Sequence, residues 1–182
     1  MVTALTLAAM IVAFGPVSGA HLNPVITMTA RIRGEVTGAA AGLYVVAQVV
    51  GATIGAIVAN LMFGLPAVAW STTRRAGGTM WLSEALATFG LVLVLRLVGR
   101  RGRAAETALA VAAFVGAAIV FTPSTCFANP AVTLARMLTD SFTGIAPSSV
   151  PLFLTAQVAG ALVAVACDRI WNRPDDVPVL LG

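Results

Sequence analysis

The chain has 182 residues, 59% of them hydrophobic and 10% charged, with a net charge of +4 and a mean hydropathy of +0.95. A soluble domain carries about 25% charged residues, so this chain cannot cover a water-facing surface, and lipid is its expected solvent. All eleven basic residues are Arg, gathered at the ends of apolar runs rather than on one face, which argues against nucleic acid as a partner.

Apolar runs fall at 2–17, 39–63, 80–98, 104–122 and 150–171. Each approaches the ~20 residues a helix needs to cross ~30 Å of hydrocarbon. Backbone groups in lipid must be satisfied internally, so the expectation is an all-α, multi-pass membrane protein with five transmembrane helices. The first run has no basic residue before Arg31, so a membrane helix is expected there rather than a cleaved signal peptide. With the ends at 31–33, 96–103 and 169–173 placed in the cytoplasm, that side holds eight Arg and the other three. This obeys the positive-inside rule if the amino terminus starts outside. Trp70, Trp81 and Trp171 sit at run ends, where an aromatic belt forms.

After the first run comes "SGAHLNPVITM" at 18–28, and after the fourth comes "STCFANPAVTL" at 124–134. Asn23 and Asn129 are 106 positions apart, each followed by Pro. Upstream, "ALTLAAMI" from Ala4 lies over "ALAVAAFV" from Ala108. Downstream, "YVVAQVVGATIGAI" from Tyr44 lies over "FLTAQVAGALVAVA" from Phe153, which matches Gln48 to Gln157 and Gly51 to Gly160. Similarity in fixed order marks a duplicated unit. A unit of three crossings is inverted in its second copy. The division is 1–65 for the first repeat, 66–79 for a connecting loop, 80–173 for the second repeat and 174–182 for a tail, one membrane domain in all. The second copy has a leading helix at 81–98 that the first lacks.

Pro24 and Pro130 suit a first helical position and Asn23 and Asn129 an N-cap. From Asn23 to Arg33 is about ten residues, or ~15 Å of helix, which is half a bilayer. Two such half-helices meeting at the midplane bring two positive dipole ends and two Asn amides together. The segments before them, 19–22 and 125–128, are then non-helical, with carbonyls facing a wet cavity.

These features resemble the aquaporin and aquaglyceroporin (major intrinsic protein) family: "SGAHLNPV", "ANPAV", the "SEALATFGLVL" run from Ser83 and the "AQVVGA" and "AQVAGA" helices match its pattern over nearly the whole chain. The resemblance implies an aquaporin-like inverted repeat, with five transmembrane helices plus two half-helices where the family norm is six plus two. It implies a pore midplane of Asn23, Pro24, Val25, Asn129, Pro130 and Ala131. It implies pore-lining carbonyls at Gly19, Ala20, His21, Thr125 and Phe127, and structural roles for Glu84, Gln48 and Gln157. Counted by family spacing, the selectivity filter is Thr3, Ala117, Cys126 and Val132.

Three departures stand out. Val25 replaces the family's Ala. Val132 stands where water and glycerol channels usually carry Arg, with Arg136 one turn further along. The missing first helix, which in the family carries a counterpart of Glu84, points to an upstream start or a truncated gene. The implied function is passive passage of small uncharged solutes, with arsenite or a methylated relative first, glycerol-like polyols next and water as a further permeant. Alternatives are a non-conducting remnant of such a channel and, from another class, a secondary transporter coupled through Glu84 or Glu106. Family resemblance implies a homotetramer in lipid. A bacterial inner membrane is expected, since richness in Ala, Val, Gly and Arg without Lys fits a GC-rich genome. No enzyme, cofactor or metal site is expected. Cys126 and Cys167 offer neither a disulfide framework nor a metal spacing, and His21 is the single histidine.

Overall fold

The structure, a computed structural model, describes residues 2–171. The predicted tail at 174–182 and the last two residues of the second repeat, Arg173 among them, lie outside the described residues. The elements are α1 (Val2–Ser18), α2 (Pro24–Ile32), α3 (Gly38–Met62), α4 (Gly78–Gly99), α5 (Ala104–Phe121), α6 (Pro130–Ala135) with a 3-10 turn at Arg136–Leu138, a second 3-10 turn at Pro147–Ser149, and α7 (Val150–Trp171). All the described elements are helical. Four helices are long and apolar enough to cross a membrane. The remaining run, the first in the chain, forms α1, which is equally apolar but shorter, at 17 residues.

The short helices start where the Asn-Pro pairs predict. Asn23 and Asn129 hold extended backbone, with φ of −154° and −155°. Asn23 Oδ1 accepts from Val25 N at 3.1 Å, and Asn129 Oδ1 from Ala131 N at 3.0 Å and Val132 N at 3.4 Å. These bonds satisfy helix-start donors that have no intrahelical partner. Gly34, at φ +77°, turns the chain after α2, and Thr37 caps α3 through its Oγ1.

α1 runs along α5, and α4 lies between α5 and α7. Each half-helix packs on its own unit's last helix and on the other unit's: α2 on α3 and α7, α6 on α7 and α3. That exchange is the internal two-fold of an inverted repeat. Val25 is buried against Val92 of α4 and Ala161 and Ala164 of α7, whose small side chains make room for its extra methyls. Gly160 on α7 lies directly against the backbone of Ala85 on α4, so a Cβ there would collide. Its repeat partner Gly51 on α3 has nothing within 4 Å. Among the described residues no helix stands to α1 and α3 as α4 stands to α5 and α7.

Candidate pore

A cavity of about 920 Å³ runs from the start of α1 to the C-terminal end of α4. Asn23 and Asn129 face it together, as the repeat predicts. Each amide is divided between two tasks. Oδ1 caps its own half-helix, while Nδ2 crosses to the opposite loop: Asn23 to Ala128 O at 2.7 Å, and Asn129 to Leu22 O at 3.0 Å. An amide nitrogen carries two protons, and one crossing bond leaves the other for whatever occupies the cavity. Pro24, Val25 and Ala131 are buried behind the asparagines and Pro130 is partly so. None of the four reaches the cavity wall.

The segments before each Asn are held in strained conformations. Ala20, Thr125, Cys126 and Ala128 have φ between 44° and 60°, the left-handed region that non-glycine residues seldom enter. Gly19, Ala20, His21, Thr125 and Phe127 all line the cavity. The carbonyls of Gly19, Thr125 and Phe127 accept no hydrogen bond among the described residues. Two predicted pore carbonyls are engaged elsewhere: Ala20 O accepts from Leu22 N at 2.8 Å, and His21 O accepts from the Gln48 side chain.

The strain is held by buried side chains. Glu84, fully buried, accepts from Ala128 N, from Phe127 N at 3.3 Å and from Gln157 Nε2 at 2.7 Å. Gln157 also donates to Thr133 Oγ1 at 2.8 Å, which donates to Asn129 O at 2.9 Å. The first unit repeats the pattern, with Gln48 donating to Thr27 Oγ1 at 2.9 Å and Thr27 Oγ1 to Asn23 O at 3.3 Å. His21 stacks on Tyr44 with 4.8 Å between ring centroids, and the Tyr44 hydroxyl donates to Ser18 O.

Of the four predicted filter residues, Thr3, Cys126 and Val132 lie on the cavity wall. Ala117 does not; it is exposed, and α5 instead presents Val111, Val115 and Ile119 to the cavity. The count from Asn129 back to Ala117 crosses residues 122–128, which are not helical, so it does not fix which face of α5 meets the cavity. Arg136, half-buried, lines the cavity near Phe142 and Thr143.

Three residues escaped the sequence reading. Arg75, in the connecting loop, is buried. It donates to Gly144 O at 2.8 Å, Phe142 O at 3.0 Å, and Ser124 O and Thr125 Oγ1 at 3.3 Å, with its guanidinium 4.8 Å from the Phe127 ring centroid. It thus braces the segment that leads into α6, and no local pattern marks it. Glu35 and Asp168 join Arg33, Arg96 and Arg100 at the far end of the cavity. An acid near the end of a span, surrounded by Arg-rich ends, was the available signal for Asp168.

The sequence profile described as "Major intrinsic protein" matches residues 1–122. The chain is 41% identical over 172 residues to the aquaglyceroporin AqpS of Rhizobium meliloti, covering 94% of this chain and 73% of that protein. It is 33% identical to a probable aquaporin, AqpM, of Archaeoglobus fulgidus, covering 90% and 72%. It is 27% identical to a glycerol uptake facilitator protein-like protein of Lactiplantibacillus plantarum, covering 90% and 79%.

Proposed function

For a chain that belongs to the major intrinsic protein family, we propose a passive transmembrane channel for small uncharged solutes, wide enough for polyols and for arsenite or methylated arsenicals. The observation that carries this reading is the crossed asparagine pair, with one amide proton on each side left for a solute, in a cavity where Val132 and not Arg stands on the wall. An Arg there would add a fixed charge and up to five donors. Val supplies neither, and discrimination falls to size and to the unpaired carbonyls. Similarity to an aquaglyceroporin and to a glycerol-facilitator-like protein supports the polyol range. A secondary transporter needs an intramembrane carboxylate free to take up a proton or cation. Glu84 is instead occupied by two backbone N–H groups and Gln157.

Stopped-flow flux into liposomes reconstituted with the protein tests the reading. Val132→Arg is expected to reduce glycerol and arsenite flux on the order of tenfold while water flux changes little, because pore width and lining donors set such selectivity. Equal loss of all three fluxes, or a wild type that passes water and no larger solute, refutes the filter assignment. A homotetramer belongs to the same proposal. Native mass measurement in detergent checks it, and a monomer or dimer there would exclude it.

A further inference from the structure

Away from the Arg-rich mouth, where Arg33, Arg96 and Arg100 gather, one cation on the cavity wall has no role in the channel reading. Arg136 lines the cavity one turn past Val132, and among the described residues no group accepts a hydrogen bond from its guanidinium. The sealed polar atoms without a partner are Gln48 Oε1, Trp81 Nε1, Arg96 Nε and Gln157 Oε1, so the Arg136 nitrogens are not shut in. The five described carboxylates are all held by other groups. Glu35 and Asp168 pair with Arg33 and Arg96, and Glu106 with Arg103. Asp140 accepts from the N–H and hydroxyl of Thr72, and Glu84 from Phe127 N, Ala128 N and Gln157.

Arg75 makes the contrast. It is close enough to Arg136 for the two charges to repel each other, yet it spends its donors on Ser124 O, Phe142 O, Gly144 O and Thr125 Oγ1. That grip fixes the loop at 142–144. The next residue of the loop, Ile145, donates from its N–H to Arg136 O at 3.2 Å, so the backbone that carries Arg136 is fixed with it. A half-buried guanidinium has lost part of its hydration, and an incoming acceptor restores what its unmet donors lack. Its planar fork matches two oxygens of one carboxylate or phosphate. The second cation adds attraction while its own donors stay occupied. A polyol hydroxyl offers a weaker acceptor and no charge.

We propose that Arg136 anchors a binding site for a small oxyanion, of carboxylate or phosphate class, at this mouth, and that an oxyanion held there hinders the passage of neutral solutes. The occupant is a free solute, since the anchor stands on the cavity wall. The second half of the inference rests on the channel reading above. The first half does not, because binding requires no solute to pass.

Inorganic phosphate is the probe, and two measurements are made on wild type, Arg136→Gln, Arg136→Lys and the exposed-loop control Arg74→Gln. In phospholipid-free detergent, phosphate should raise the melting temperature of wild type and Arg74→Gln, because a ligand that binds the folded state stabilises it. In liposomes, phosphate should slow glycerol flux, read against each protein's own phosphate-free flux. The half-effective phosphate concentration should rise on the order of tenfold in Arg136→Gln, as loss of a charged hydrogen bond implies. Arg136→Lys keeps the charge without the fork and should fall between the two, a partial rescue that a merely structural role would not produce. Should Arg136→Gln fail to insert, Arg136→Lys against wild type carries the comparison. Full phosphate sensitivity in the inserted Arg136 variants, or no phosphate effect on wild type in either measurement, overturns the inference and leaves the channel reading standing. Binding in detergent without slowed flux in liposomes would give the site to a lipid headgroup and overturn the free-solute proposal. A wild type that passes no glycerol overturns the channel reading and the hindrance, while the detergent measurement still decides the site.

Discussion

Asn23 and Glu84 solve the same problem by different means: each places an acceptor or donor where irregular backbone would otherwise sit unsatisfied inside the membrane. Asn23 caps α2 and reaches Ala128 O, and Glu84 takes the N–H groups of Phe127 and Ala128. Such partners permit non-helical backbone at membrane depth. Glu35 lies outside the spans and gives a residue-scale prediction. Burial raises its carboxyl pKa, but hydrogen bonds and charge from Arg96 and Arg33 outweigh that and leave it below the ordinary 4.5. A carboxylate with a lowered folded-state pKa stabilises the fold above its unfolded pKa, and that stability is lost as pH falls through the folded value. Melting temperature in detergent, followed from pH 7 to pH 3, should therefore start lower in Glu35→Gln than in wild type. The gap should narrow as pH falls below the ordinary carboxylate range and close once pH passes the lowered folded-state value, where both side chains are neutral. A gap independent of pH would show that the carboxylate's charge contributes nothing.

The half-helices and the strained segments before them carry the element-scale chemistry. Cys126 lies in such a segment and on the cavity wall, while Cys167 lies on α7 and off it. A mercurial should therefore block flux in wild type and in Cys167→Ser but not in Cys126→Ser. Block that persists in Cys126→Ser and vanishes in Cys167→Ser would put the pore on another face of the bundle. The long helices give a second contrast. A Cβ at Gly160 meets the backbone of Ala85, which no side-chain movement relieves. Gly160→Ala should therefore destabilise by about 1–3 kcal/mol, the usual cost of overpacking. Gly51→Ala should be neutral or stabilising by up to about 1 kcal/mol, the helix-propensity gain over Gly. Thermal denaturation in detergent measures both. Equal damage at the two sites would mean that something packs against α3 as closely as α4 packs against α7.

At the scale of the whole molecule, the duplication does more than repeat a fold. The two units exchange half-helices, so neither Asn can reach its crossing partner without the other unit: Asn23 needs Ala128, and Asn129 needs Leu22. The same exchange brings Arg33 from the first unit to Asp168 in the second. The midplane and the Arg-rich mouth are therefore both interfaces between the halves. A change in either half should be felt across the pore.

The order and bounds of the helices, the two half-helices, their caps and the pairing of repeats were legible in the amino-acid sequence. They follow from short-range rules: apolar length against bilayer thickness, Asn-Pro at a helix start, and similarity at a fixed offset. Cys126 and Val132, counted close to a cap, lie on the cavity wall, whereas Ala117, counted across a non-helical segment, does not. Only tertiary structure could decide that Arg75 reaches from a loop to brace residues 124–125 and that Asp168 gathers Arg33, Arg96 and Arg100. It also decided that His21 gives its carbonyl to Gln48. Those contacts join residues from 27 to 135 positions apart. Their geometry depends on how whole helices cross, and no local pattern of side chains encodes a crossing.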